Sequence, residues 1–249
     1  MSRWKAAGIH LSISVAIGLV VGALLFGVWY PPPYFHAVGA DMLVLLLVGV
    51  DVVLGPVLTL VVFKAGKRGL KFDLAIIAIL QTLALVYGLS VVLKSRPVFL
   101  VAATDRFVLV SAHDFEAPDL AKATRPEFRS LSWTGPRTVG AKSPDGEAGN
   151  DLLFSSLAGK DIERFPQYFV DYAEVSKDLL KHARPLADIR KKASTDEAER
   201  LDDAVRKSGV SPDAIVGVPL QTHRGFLLML LDASSGRPLR ALDVDPWKK

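Results

Sequence analysis

Cysteine is absent from the 249-residue chain, which excludes disulfides, thiolate metal sites and cysteine nucleophiles at once. Charge of one sign is also scarce: 30 Lys and Arg against 26 Asp and Glu leave a net +4, and no basic face for nucleic acid follows from it. There is no G-x-S-x-G elbow, no Walker loop and no G-x-G-x-x-G turn. The five histidines, His10, His36, His113, His182 and His223, form no H-x-x-x-H or H-E-x-x-H pair. His113-Asp114 beside Glu116 reads as a solvated turn rather than a weak metal site. Ser155-Ser156 reads as helical filler rather than a nucleophile. The expectation is a non-enzymatic protein with no catalytic residue, no cofactor and no metal.

What the chain does have is long apolar runs, unevenly placed. Half of its residues are apolar and the mean hydropathy is +0.31, high for a purely soluble protein. Three runs, Ala6–Trp29, Asp41–Phe63 and Phe72–Leu93, are each long enough as helices to cross a bilayer core of about 30 Å. The reading is a three-helix transmembrane domain over residues 1–95, followed by an α+β extracytoplasmic domain over 96–249 that ends in an antiparallel β-meander. A cleaved signal peptide is the competing reading of the first run. That run exceeds a typical h-region, and Trp29-Tyr30-Pro-Pro-Pro-Tyr34 is a poor cleavage site, so an uncleaved helix is preferred. Trp29, Tyr30 and Tyr34 are then expected to form an interfacial aromatic belt.

Orientation follows from the short-loop charges. Before Lys94 there are six basic residues, Arg3, Lys5, Lys64, Lys67, Arg68 and Lys71, against three acidic ones; the remainder holds 24 against 23. All six basic residues lie at the N-terminus or between positions 64 and 71, and none lies between Tyr30 and Gly39. Both basic segments should therefore be cytoplasmic, where they could also touch anionic lipid. Lys94 and Arg96 oppose this weakly. Everything after about Lys94 is then outside, which in a bacterium means the periplasm.

The sharpest single feature is Asp51 near the middle of the second run. An ionised Asp there costs roughly 2.5–3.5 kcal/mol on insertion scales, so it should face other helices, a watery crevice or a bound helix. Nearby Gly55-Pro56 adds a kink, because the proline has no N–H and leaves the carbonyl of Val52 without its intrahelical donor. Gln81 falls at similar depth in the antiparallel third run, and Asp51 and Gln81 are expected to meet. The pair serves either as a structural hydrogen bond between helices or as a contact for another membrane protein. A proton relay needs more ionisable groups at depth, and His10 is expected to lie too near the cytosolic end to join one.

In the exterior part, Pro97–Ala103 and Phe107–Ser111 read as strands, either a hairpin or one bent strand, with another near Arg137–Ala141. Helices are expected at Asp151–Leu157, Pro166–His182, Pro185–Lys192 and from an N-cap at Thr195 to Ser208-Gly209. Strands follow at Ala214–Thr222, Phe226–Asp232 and Pro238–Val244.

Several of these residues carry a likeness. Tyr30–Phe35, Val50–Phe63, Lys67, Leu70 through Asp73-Leu74, Gln81, Tyr87-Gly88, Arg96-Pro97 and Asp105-Arg106-Phe107 closely resemble the TfpX/TfpZ-type type IV pilin accessory proteins. Leu231-Asp232, Gly236 and Pro246-Trp247 extend the likeness more loosely to the end. The resemblance implies an inner-membrane protein that assists type IV pilus biogenesis or dynamics, acting with a particular pilin and without known catalysis; other pilus assembly components are possible partners. Asp51, Val52, Gly55, Pro56 and Gln81 are the expected contact for a partner helix. Two rival readings are a membrane-anchored periplasmic sensor or ligand-binding protein, and a small oligomeric transporter using Asp51.

Overall fold

A computed structural model describes residues 2–247. The chain divides into two compact units, Met1–Arg96 and Pro97–Lys249.

In the first unit, α1 (Arg3–Leu24) starts at Ser2, whose Oγ accepts from the Lys5 N–H, and runs into a π turn at Leu25–Trp29. The three prolines that follow cannot continue a helix. A single-turn helix α2 (Tyr34–Ala37) leads to α3 (Ala40–Val48), a second π turn (Gly49–Leu54) and α4 (Gly55–Val62), which run on without a break. Gly69, at φ 84°, makes the sharp entry into α5 (Leu70–Ser95). Among the described residues two helices, Arg3–Trp29 and Leu70–Ser95, are long and apolar enough to cross a membrane. The expected middle run, Asp41–Phe63, falls on one continuous helical stretch of nine α, six π and eight α residues, in which the backbone changes register around Asp51.

Tyr30 is fully buried rather than part of an interfacial belt, and it packs with Val21, Leu25, Phe35, Ala40 and Val92. The reason is a helix end. Val92 carries one of the last four carbonyls of α5, which lack intrahelical donors. The Tyr30 hydroxyl donates to it, and Arg96 Nη1 donates to the neighbouring Leu93 carbonyl at 2.7 Å.

The second unit begins with β1 (Pro97–Ala103), every residue of it buried, and β2 (Arg106–Ser111). They form an antiparallel hairpin, turning at Thr104 with φ 25°. A short helix α6 (Ala117–Ala121), β3 (Arg137–Ala141) and α7 (Glu147–Leu157) follow. The helix expected over Pro166–His182 is a 3-10 turn, a two-residue strand β4 (Phe169–Val170) and then α8 (Tyr172–Leu180). Phe169 is drawn into the sheet opposite Ala141, where it stacks edge-on with Phe99, Phe115 and Phe128. After β5 (Arg184–Pro185) and α9 (Leu186–Lys192) comes α10 (Thr195–Ser208). Its N-cap is Ser194, one residue earlier than expected, because Glu197 completes a capping box with it; Gly209 ends it in the left-handed region.

The last strands, β6 (Ile215–Thr222), β7 (Gly225–Asp232) and β8 (Pro238–Leu242), pair antiparallel in succession. They are one flank of a mixed eight-stranded sheet, ordered β4-β3-β1-β2-β6-β7-β8 with β5 on β6. Two joints are parallel: β1 with β3, and β2 with β6, where Phe107 faces Leu220 and Val108 faces Gln221. The second joint brings the C-terminal ends of β2 and β6 out side by side at one end of the sheet.

Candidate functional site

The polar site of the first unit is built by the π turn. In an α register the missing proline N–H would orphan the Val52 carbonyl. Here the Gly55 N–H bonds Val50, five residues back, so the orphan moves to Asp51. Gln81 on α5 supplies the donor: its Nε2 reaches the Asp51 carbonyl at 3.3 Å. This approach requires glycine at 55. A Cβ there would sit 2.0 Å from Gln81 Nε2 and 2.7 Å from its Cδ.

Beside this contact is a cavity of about 410 Å³, lined by side chains of α1, the Gly49–Leu54 turn, α4 and α5. Most of its wall is apolar, with Asp51, Gln81, Thr82, Ser14, Thr59 and His10 as polar points. Contrary to the sequence reading, His10 is not remote: its Nδ1 lies 2.6 Å from Thr59 Oγ1, on the same cavity as Asp51. Ser14 and Thr59 are buried.

Of the expected partner-contact residues, the structure brings Asp51, Gly55 and Gln81 together, buries Pro56 in the start of α4 and leaves Val52 half-buried off the cavity wall. The six basic residues Arg3, Lys5, Lys64, Lys67, Arg68 and Lys71 are all exposed, and Lys67 pairs with Asp73 at 2.6 Å.

In the second unit His113-Asp114, expected to be a solvated turn, belongs to a second polar cluster whose other member, His223, the sequence reading did not connect with it. The parallel joint of β2 and β6 carries His113 and Asp114, on a 3-10 turn after β2, to His223 on the turn after β6. Their sequence separation hides this. Asp114, its side chain 5% exposed, accepts from the Ser111 N–H at 2.9 Å and faces Arg164 Nη2 at 3.0 Å and His223 Nε2 at 3.3 Å. Burial pushes its carboxyl up, but the His223 hydrogen bond, the Ser111 N–H and Arg164 outweigh that and hold it below the usual carboxylate range. His223 is held above the ordinary histidine value, chiefly by the Asp114 hydrogen bond and against its own burial. The His113 and His223 rings stack, with centroids 5.3 Å apart.

The family model "Fimbrial assembly protein FimB" matches residues 1–39. Over 248 residues, 98% of this chain and 96% of each relative, the sequence is 28% identical to the fimbrial assembly proteins of serogroup I and of serogroup E1 of Dichelobacter nodosus. It is 34% identical over 122 residues to the fimbrial assembly protein of serogroups C1 and C2 of the same organism, spanning 48% of this chain and 92% of that protein. No solved structure matches. With a relative of that identity covered almost end to end, the chain belongs to the fimbrial assembly protein family.

Proposed function

We propose that this protein is an inner-membrane accessory factor of type IV pilus biogenesis or dynamics that contacts a cognate pilin. In this reading it crosses the membrane three times, with the N-terminus and residues 64–71 in the cytoplasm and residues 96–249 in the periplasm. Membership of a fimbrial assembly family supports the process. Support for the membrane comes from the surface of the first unit, where Leu19, Val20, Val61 and Tyr87 are each at least 70% exposed. Such an apolar coat on helices of this length is unfavourable in water and suited to lipid. The stretch Ala40–Val62, although broken in register, spans roughly 34 Å at 1.5 Å per residue.

The observation that carries the pilin reading is the cavity beside Asp51. A cavity between helical segments that presents a carboxylate, an amide and hydroxyls from an otherwise apolar wall offers a neighbouring transmembrane helix a small number of hydrogen bonds, and so a fixed register. A pilin awaiting assembly has a membrane-anchored apolar helix and a periplasmic head. The first unit would hold the helix, and the second would recognise the head. A photocrosslinker placed at Asp51 or Val52 in cells should give an adduct with pilin. Functional protein without any pilin adduct at either position would overturn the reading.

A further inference from the structure

We propose that His113, Asp114 and His223 form a binding site for a borderline divalent cation of the zinc class. Each offers one ligand atom, and the three atoms lie within 4.8 Å of one another. Imidazole nitrogen and carboxylate oxygen are the donor types that Zn²⁺ accepts in the absence of thiolate, and three protein ligands leave a fourth position for water. A tetrahedral ion with bonds of about 2.0–2.1 Å holds its ligand atoms about 3.3 Å apart. His223 Nε2 and Asp114 Oδ2 already stand at 3.3 Å; the ion takes the place of the proton between them, which is released to solvent. Only His113 has to close in, and it sits on an exposed turn with its ring already parallel to that of His223 within 27°.

The supporting groups fit the same use. Asp114 is oriented from behind: Arg164 takes Oδ1, leaving Oδ2 on the histidine side. The carboxylate is therefore fixed before any ion arrives, as outer partners fix ligands in metal sites. Glu163 lines the same small cavity as Asp114 and His223, and its Oε2 is buried without a hydrogen-bond donor among the described residues. Its carboxylate would add to the attraction for a cation. The site joins two segments 110 positions apart, so an ion there would clamp the turn after β2 to the turn after β6.

The test uses the full chain in detergent micelles, after removal of any polyhistidine tag, with Zn²⁺ in isothermal titration calorimetry and Co²⁺ as a spectroscopic substitute. Saturable binding at one ion per chain, with the visible absorption of tetrahedral Co²⁺, is expected. His113→Ala and His223→Ala, both at exposed positions, should each weaken binding by at least ~10-fold while keeping the wild-type far-UV circular dichroism. His182→Ala should bind as wild type. Absence of saturable binding overturns the proposal, and so does binding that survives both His113→Ala and His223→Ala. Should His223→Ala fail to fold, His113→Ala alone decides.

Discussion

Replacing Gly55 by alanine tests how the register change around Asp51 is held. The added Cβ would stand 2.0 Å from Gln81 Nε2, well inside contact distance, so the flexible Gln81 side chain has to swing away. In doing so it abandons the Asp51 carbonyl, which Pro56 leaves without another backbone donor. An unsatisfied buried acceptor costs about 1–3 kcal/mol, and hydrogen bonds between membrane helices average about 0.6. Working the other way, alanine in a helix is favoured over glycine by roughly 0.5–1 kcal/mol. The two effects separate in a double-mutant cycle. With Gln81 intact, Gly55→Ala loses the bond; in a Gln81→Ala background that steric conflict is gone and the same substitution becomes neutral or stabilising. The expected coupling energy is about 0.6–3 kcal/mol, measured by reversible SDS-induced unfolding of the full chain in micelles, followed by far-UV circular dichroism. Additivity of the two substitutions within ~0.3 kcal/mol would refute the reasoning, because residues that share no contact behave that way.

Tyr30→Phe should destabilise the first unit by about 1–3 kcal/mol, since it strips the donor from the Val92 carbonyl at the end of α5; the same SDS titration reads it. Gly140→Ala places a Cβ 2.5 Å from Val175 Cγ2 and 3.2 Å from the Asp171 carbonyl, and should cost about 1–3 kcal/mol in thermal unfolding of the second unit. Burial raises the Glu163 carboxyl above its ordinary 4.5, with Asp161 adding to the rise and the Glu163 N–H, Arg106 and Arg164 opposing it. A raised native value means stability that is complete below about pH 4.5 and declines as pH climbs through the native value. Glu163→Gln should therefore flatten this decline and raise the melting temperature at pH 7; an unchanged pH profile would count against it.

Local patterns were well placed in the sequence where one face or one terminus decides the structure. Pro97–Ala103 is β-rich throughout and is a fully buried strand, and Gly209 ends α10 as a left-handed C-cap. The proximity of Asp51 and Gln81 followed from counting depth along antiparallel runs. A hydrogen bond between them was among the readings, but its acceptor, the Asp51 carbonyl, was not foreseen, because a π turn has no compositional signature, and it transfers the missing proline donor from Val52 to Asp51. Tyr30 misled for a related reason: an aromatic beside three prolines looks interfacial until the carbonyls at the end of α5 are counted. Ser194 and Thr195 are both good caps, and only the reach of Glu197 decides between them. The His113, Asp114 and His223 cluster was hidden most deeply, since it depends on a parallel strand joint across some 110 residues that no local periodicity records.

That joint also sets an order of events during biosynthesis. The hairpin of β1 and β2 is made early, yet the free side of β2 has no neighbour until Ile215–Thr222 has been made. At 5–20 residues per second the ribosome takes roughly 5–20 s to supply it. Throughout that interval a hydrophobic strand edge stands open to any other extended chain. Products that stop short of Ile215 would keep that edge permanently, which makes them natural targets for proteases and seeds for aggregates.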